Sequence, residues 1–409
     1  MNRRVVVTGM AGVSPLGMSW EDARETLQAY RSCISFQPEW GSLEGLQTRL
    51  GAALPDFKWP ASFSRKRTRT MGRVARLATL ATEYALADAG LLDTGKVTVD
   101  CGLAYGSTSG APPSIQHYAE RITVNKTLTG VSPSEYVKFM SHTAAANLGQ
   151  FFGIKGRLIP SCSACTSGSQ AIGFAYESIK YGKEQVMVAG GSEELHVLAA
   201  TVFDIMYATS TRNDEPRCTP RPFDKDRDGL VVGEGAGTLI LESLEHARAR
   251  GAHIHAEIIG FATNCDGNHI VTPSVQGMSL VMKQALTDAR LEAGSIDYIS
   301  AHGTATEVGD IAESQATAGI FGDKVPISSL KSYMGHTLGA CGAIEAWAAI
   351  HMMNEGWLAP TLNLEHVDPR CAALDYLIRC REASMEHVMN NNFAFGGVNT
   401  SLIFRKWAK

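Results

Sequence analysis

Short apolar runs alternate with helix-spaced segments along almost the whole chain, and that alternation restricts it to an α/β architecture. Residues 5–8 read as a first strand ending at Gly9, with Gly12 and Gly17 punctuating the loop beyond and Ser19 placed to cap a helix from Trp20. Alanine-rich spacing predicts a helix over 73–89, and Gly90 stands where a C′ glycine belongs. Residues 101–105 and 186–189 read as buried strands, the second ending at Gly190-Gly191. A second set begins near 256–261, after an exposed charged helix at 245–250, so a soft boundary falls close to residue 252, between segments 1–252 and 253–409. The two segments resemble a diverged duplication in architecture rather than in sequence. Residues 157–159 lead through a small-residue loop into a helix near 166–181, and residues 325–328 lead through 331–339 into a helix near 343–353. A length of 409 residues suits two such halves packed as one unit.

Several classes of function are excluded early. A formal net charge of −4 argues against a dedicated nucleic-acid binder. No apolar run reaches the roughly 20 residues of a membrane span. The first seven residues lack the apolar stretch of a signal peptide and read as the first strand. Nine cysteines, an odd number spread over the chain, point away from a disulfide framework and towards a reducing cytoplasm.

One cysteine segment stands out. Ser161-Cys162-Ser163-Ala164-Cys165-Thr166-Ser167-Gly168 places Cys165 at the expected start of a helix, where backbone N–H groups and the helix dipole favour a thiolate. Lowering a thiol pKa from about 8.5 to about 6 takes roughly 3.4 kcal/mol, and a helix terminus supplies about 0.3–2. Imidazoles from elsewhere are therefore needed. Taken alone, the segment has three readings: small buried cysteines, a Cys162-x-x-Cys165 redox pair, or a nucleophile with distant partners. A zinc site is weaker, because no second close pair of cysteines appears.

Two histidine segments complete the set. Ala301-His302-Gly303-Thr304-Ala305-Thr306 follows a strand candidate at 298–300, and small neighbours would let His302 face a cleft. Lys331-Ser332-Tyr333-Met334-Gly335-His336-Thr337-Leu338-Gly339 combines a lysine, a histidine and tight glycines ahead of a helix carrying Glu345. Each is ambiguous alone; a lone histidine is more often structural.

Together, Ser-Ala-Cys-Thr-Ser-Gly, His-Gly-Thr-Ala-Thr and Lys-Ser-x-x-Gly-His-x-x-Gly-Ala-x-Gly resemble the β-ketoacyl-acyl carrier protein synthases of the thiolase-like superfamily, the bacterial synthase II type most closely. The resemblance spans essentially the whole chain, with further matches at residues 210–214, 221–229 and 391–399. It implies a five-layered αβαβα fold of two duplicated βαβαβαββ halves, usually assembled as a dimer. It also implies Cys165 as acyl acceptor, with His302 and His336 stabilising the enolate left when a malonyl carrier thioester loses CO₂. The backbone N–H groups of Cys165 and Phe395 would form the oxyanion hole, and no redox cofactor or metal is called for. Lys331 and Glu345, joined by Asp310 and Glu313, would orient the histidines, although Asp310 and Glu313 also suit a surface pair one helical turn apart. Thr304 and Thr306 match hydroxyls that hold the pantetheine arm; otherwise they build a turn.

Some positions depart from the family pattern. The segment from Asn392 through Phe393, Ala394 and Phe395 to Asn399 resembles a gating loop, but Ala394 replaces a glycine, which narrows backbone freedom, and Val398 replaces a threonine. Ser109 stands where a branched aliphatic often floors the acyl pocket. Phe203 matches a pocket aromatic, whereas Asp204, Met206 and Tyr207 replace small residues. These changes, with likenesses at 331–342 and 391–400, resemble the synthases of aryl-polyene pigment clusters and imply a conjugated or aryl-bearing chain. Lys66 and Arg69, within the basic run 65–69, are the docking candidates for an acidic acyl carrier protein. The implied assembly is a homodimer, or a heterodimer with a ketosynthase-like chain-length subunit. The rivals are a thiolase, which needs a second catalytic cysteine that Cys341, Cys371 and Cys380 do not offer in a comparable glycine motif, and a chain-length subunit, which loses the nucleophile. Gly233-Glu234-Gly235-Ala236-Gly237 suggests a nucleotide loop but lacks a Walker lysine and reads as a turn of the family.

Overall fold

A computed structural model describes residues 2–408; Met1 and Lys409 lie outside the described residues. Its large sheet has eleven strands: β1 (Val5–Val13), β2 (Gly102–Gly106), β3 (Leu158–Ser161), β4 (Val186–Glu193), β5 (Gly235–Ser243), β6 (Ala256–Cys265), β7 (Tyr298–Ser300), β8 (Pro326–Ser328), β9 (Asp375–Tyr376), β10 (His387–Ala394) and β11 (Val398–Lys406). In space they run β9-β8-β7-β10-β11-β6-β1-β5-β4-β2-β3.

The duplication is explicit in that order. Outward from the centre, the first half runs β1-β5-β4-β2-β3 and the second β6-β11-β10-β7-β8 with the short β9 added at its edge; with β9 set aside, both follow the same sequence of first, fifth, fourth, second and third strands. The strand senses match as well: the inner pairings of each half are antiparallel and the outer ones parallel. β1 and β6 join the halves through three antiparallel pairs only, Val5 with Ile258, Val6 with Glu257 and Val7 with Ala256. Beyond that seam the two sheets part, and helices fill the space between them.

Helices α1 (Arg73–Asp88) and α2 (Thr143–Phe152) cover the first sheet, while α4 (Val275–Ala289) and α5 (Glu307–Phe321) cover the second. Between the sheets lie α3 (Ser167–Lys180) and α6 (Cys341–Glu355), packed on each other and on both halves. The result is the αβαβα layering. Nearly every face of α6 is buried, as its apolar composition requires of a central helix. Both central helices start at the carboxyl ends of parallel strands, where open α/β sheets place their ligands.

Local signals set most boundaries. Ser19 caps the helix Trp20–Gln28 by accepting from Asp22 N–H at 3.2 Å, and Gly90 takes a φ of +67° just past α1. Several expectations need correction. β1 continues through Gly9 and Gly12 to Val13, and β4 continues through Gly190 and Gly191 to Glu193. Glycine there is not a stop signal. A β-carbon on Gly191 would lie 2.3 Å from Gly339 O and 2.8 Å from Gly168 Cα, so the strand admits no side chain where α3 and the His336 loop cross it. Residues 235–237 open β5 rather than forming a turn. Segment 331–339 is not one loop: Lys331–Met334 makes a helical turn, Leu338–Ala340 a 3-10 turn, and α6 starts at Cys341.

Adding one methyl at this crossing should be costly. Gly191→Ala is expected to lower stability by about 1–3 kcal/mol through overpacking, read as a lower urea midpoint with an unchanged denaturant slope.

Candidate active site

Cys165 reaches the site on a strained turn. β3 ends at Ser161, Ala164 takes a φ of +49°, and residues 164–166 form a 3-10 turn before α3 begins at Ser167. Serine and threonine hydroxyls brace the turn: Ser163 N–H donates to Ser167 Oγ at 2.9 Å, Ser167 Oγ to Ala164 O at 2.7 Å, and Thr166 Oγ1 to Ser163 O at 2.7 Å. Positive φ also flanks both histidines, at Gly303 (+34°) after His302 and Gly335 (+69°) before His336. The glycines take these angles without strain, whereas strain such as that at Ala164 persists where the surroundings over-determine it, commonly at functional sites.

The three side chains converge. His336 Nε2 lies 3.0 Å from Cys165 Sγ, and one donor atom from each of Cys165, His302 and His336 falls within a common 4.8 Å. The His302 and His336 rings stand edge to face with centroids 5.2 Å apart. Leu338 N–H donates to His336 Nδ1 at 3.2 Å, so the imidazole proton resides on Nε2 and points at the sulfur. That assignment also weakens the trio as a metal site: the spacing suits a soft cation, but the Nε2 lone pair of His336 is not on offer. His302 Nδ1, by contrast, is buried without a hydrogen-bond partner.

Two carboxylates on α5 hold the His302 loop by its backbone. Glu313 accepts from His302 N–H and Gly303 N–H, each at 2.7 Å. Asp310 accepts from Thr304 N–H at 3.0 Å, Ala305 N–H at 3.1 Å and Phe223 N–H at 2.7 Å. Both are buried, so the surface-pair reading of Asp310 and Glu313 is overturned. Lys331 and Glu345 are buried as well and form an ion pair, and Asn392 Nδ2 donates to the second Glu345 oxygen at 2.7 Å. Burial opposes the Lys331 charge, but the Glu345 carboxylate more than offsets it, so the ammonium pKa stands above its ordinary value.

The charge states follow from burial. Desolvation, with the Lys331 charge second, holds both imidazoles well below the usual histidine pKa, so they are neutral at neutral pH. Burial pushes the Cys165 thiol up to about 12 despite Lys331 nearby. The sequence expectation of a thiolate favoured by the helix start is therefore reversed, because desolvation outweighs the dipole. The two cysteines of the 162–165 pair engage separate partners: Cys162 Sγ donates to Thr108 O at 3.2 Å, whereas Cys165 meets His336.

A cavity of about 380 Å³ leads to Cys165. Phe203, Phe393, Phe395, Thr304 and Thr306 line it, as do His302 and His336. Phe395 occupies the turn between β10 and β11, its ring 5.5 Å from Phe203. Ala394 pairs with Val398 in the hairpin, and the left-handed positions of the turn are Gly396 (+87°) and Gly397 (+71°), so the alanine sits where no glycine is required. Gly396 N–H donates to Ile270 O at 2.7 Å and Asp266 N–H to Gly397 O at 2.8 Å, tying the turn to a second loop. That loop, with Ile270 and Val271 in the cavity wall, escaped sequence reasoning because no residue pattern marks it. Ser109 is half-buried and does not line this cavity. Lys66 and Arg69 are exposed and line a separate groove against residues 132–138. Arg67, between them, is folded over the Phe151 ring at 3.6 Å. Cys341 is buried with Sγ 3.2 Å from Cys165 O, outside the cavity wall.

Comparison with known proteins agrees with this geometry. Two family models match: Beta-ketoacyl synthase, N-terminal domain, over residues 2–247, and Beta-ketoacyl synthase, C-terminal domain, over residues 255–365. The chain is 36% identical over 408 residues to 3-oxoacyl-(acyl-carrier-protein) synthase 1 of Haemophilus influenzae, covering 99% of each. A crystal structure of a β-ketoacyl synthase from Burkholderia phymatum matches at a TM-score of 0.97 with 55% identity, over 99% of this chain and 100% of that one. The ishigamide ketosynthase/chain length factor matches at 0.90 with 32% identity, over 100% of both.

Two outcomes are expected. Lys331→Met leaves the Glu345 carboxylate buried and unpaired and should cost about 3–5 kcal/mol in urea unfolding, while Lys331→Met with Glu345→Leu regains most of that stability. Alkylation of Cys165 by iodoacetamide should rise about tenfold per pH unit through neutrality with no plateau, the behaviour of a thiol titrating far above that range.

Proposed function

The chain belongs to the β-ketoacyl synthase family, and on that premise we propose that it joins carrier-bound acyl thioesters by decarboxylative Claisen condensation. The observation that carries this reading is the meeting of one thiol and two neutral imidazoles where a cavity lined by threonines and aromatics ends.

Cys165 accepts the acyl group: a C–S bond forms to the acyl carbon, and the carrier's pantetheine thiol departs with the proton. Thr304 and Thr306, hydroxyls 2.9 Å apart on the cavity wall, would hold the pantetheine arm. A malonyl carrier then releases CO₂, and the electron pair of the broken bond becomes an enolate. His336 supports this step because its proton is already on Nε2, and His302 supplies a second neutral imidazole beside it. The enolate carbon attacks the Cys165 thioester. The backbone N–H groups of Cys165 and Phe395 would stabilise the tetrahedral oxyanion, which collapses with loss of the Cys165 sulfur. The product is a β-ketoacyl carrier longer by a two-carbon unit. Decarboxylation supplies the carbanion, so the reaction calls for neither a strong base nor a redox cofactor. Cys341 lies behind the Cys165 peptide, outside the cavity, which disfavours a thiolase mechanism. Retention of Cys165 disfavours a purely chain-length role.

The partners follow from the same reading. An acidic acyl carrier protein would meet exposed Lys66 and Arg69. A second copy, or a chain-length paralogue, would cover the outer edge of β3, where Leu158 is 43% exposed, and the apolar residues Val124 and Leu128, 72% and 69% exposed. No helix among the described residues is long and apolar enough to cross a membrane, and nine free cysteines fit a reducing cytoplasm. For the acyl chain we favour a conjugated or aryl-bearing group, since Phe203, Phe393 and Phe395 offer flat faces beside the reactive sulfur.

Mass spectrometry of the protein after incubation with acyl carriers should show one acyl adduct, absent from Cys165→Ala. Unsaturated or aryl carriers are expected to load faster than saturated medium-chain ones. A clear preference for saturated chains would reject the conjugated substrate, and no adduct from any carrier would reject the condensing function.

A further inference from the structure

A buried carboxylate at the end of β4 takes no part in the steps above. Glu193 is 1% exposed, and its oxygens collect donors from two separate loops. Thr108 N–H donates to Oε2 at 2.8 Å, Gly339 N–H to the same oxygen at 3.1 Å, and Ser107 Oγ to Oε1 at 3.3 Å. The Thr108 loop follows β2 and touches the nucleophile's loop, because Cys162 Sγ donates to the Thr108 carbonyl. Gly339 belongs to the His336 loop and directly follows Leu338, whose N–H sets the His336 tautomer. A β-carbon on Gly339 would lie 2.8 Å from Thr108 N and 2.9 Å from Glu193 Oε2, so the three groups are in direct contact.

We infer that Glu193 is a positioning residue that holds the His336 loop against the nucleophile's loop, so that the Nε2–H of His336 meets the Cys165 sulfur and, in the condensation proposed above, the enolate oxygen. For the enolate the inference rests on that proposed function; for the His336–Cys165 contact it does not. Glu193 lines no part of the cavity and acts only through the two loops. The chemistry suits a carboxylate, which presents acceptors alone where two backbone N–H groups converge. Glutamine separates placement from charge. Its one oxygen can take both backbone donors, while its amide NH₂ faces the Ser107 hydroxyl, which rotates to accept. Aspartate, one methylene shorter, cannot reach both loops.

The experiment compares folded Glu193→Asp, Glu193→Gln and Ser107→Ala with the unmodified protein in two assays: CO₂ release from a malonyl carrier, and alkylation of Cys165 by iodoacetamide. Glu193→Asp is expected to lower kcat for CO₂ release at least about tenfold with KM unchanged and to slow alkylation, as misplacement of a reacting group does. Glu193→Gln and Ser107→Ala should stay within about threefold of the unmodified protein in both assays. A folded Glu193→Asp protein that matches the unmodified one in both assays overturns the inference. So does a Glu193→Gln protein that falls as far as the aspartate variant, since charge rather than placement would then be the cause. Unmodified protein that alkylates at Cys165 yet releases no CO₂ counts against the condensing function, and alkylation of the variants then decides the role of Glu193.

Discussion

Backbone packed on backbone at Gly168, Gly191 and Gly339 is the contact on which the reactive groups depend. A β-carbon on Gly191 would reach to 2.3 Å from Gly339 O, and one on Gly168 to 2.9 Å from the same oxygen. With no side chains between them, β4, the start of α3 and the His336 loop approach as closely as main chains can. Cys165 precedes Gly168 by three residues and His336 precedes Gly339 by three, so this crossing carries the sulfur to within 3.0 Å of the imidazole. The duplicated fold makes the crossing possible, because equivalent central helices from the two halves meet between the sheets.

The electrostatics are set by burial rather than by accumulated charge. Lys331 and Glu345 are paired deep in the core, and desolvation, with the Lys331 charge second, holds both imidazoles neutral. A neutral imidazole with its proton fixed on Nε2 can donate one hydrogen bond to a forming oxyanion. The same burial keeps the Cys165 thiol protonated at neutral pH. Asp310 and Glu313 accept from backbone N–H groups of the His302 loop and fix its course, and burial raises both carboxyl pKa values, that of Glu313 in the cavity wall to about 7.

Much of this was legible before any coordinates. The strand–loop–helix units around Cys165 and His336, the Ser19 cap and the Gly90 stop all carry local signals, and the three reactive side chains stood out by type and neighbours. Boundaries at Gly9 and Gly190 were misread because glycine in a strand and glycine in a turn look alike in sequence; only the atoms facing each one tell them apart. The Asp266–Ile270 loop and Glu193 carried no readable signal, and Asn392 was read only as part of a gating loop and not as the Glu345 partner, since each matters through a contact with residues far away in the chain.

The alternating α/β pattern and the order of the three motifs, whose combination, not any one segment, points to Cys165, His302 and His336, were therefore settled by sequence alone, because helix starts, strand ends and small-residue loops are specified within a few neighbours. Tertiary structure alone decided the protonation states, the tautomer of His336 and the absence of Ser109 from the cavity wall. The protonation states depend on desolvation in the core, the tautomer on the turn that folds Leu338 N–H back onto His336, and the cavity wall on segments more than a hundred residues apart, and no local residue pattern encodes these.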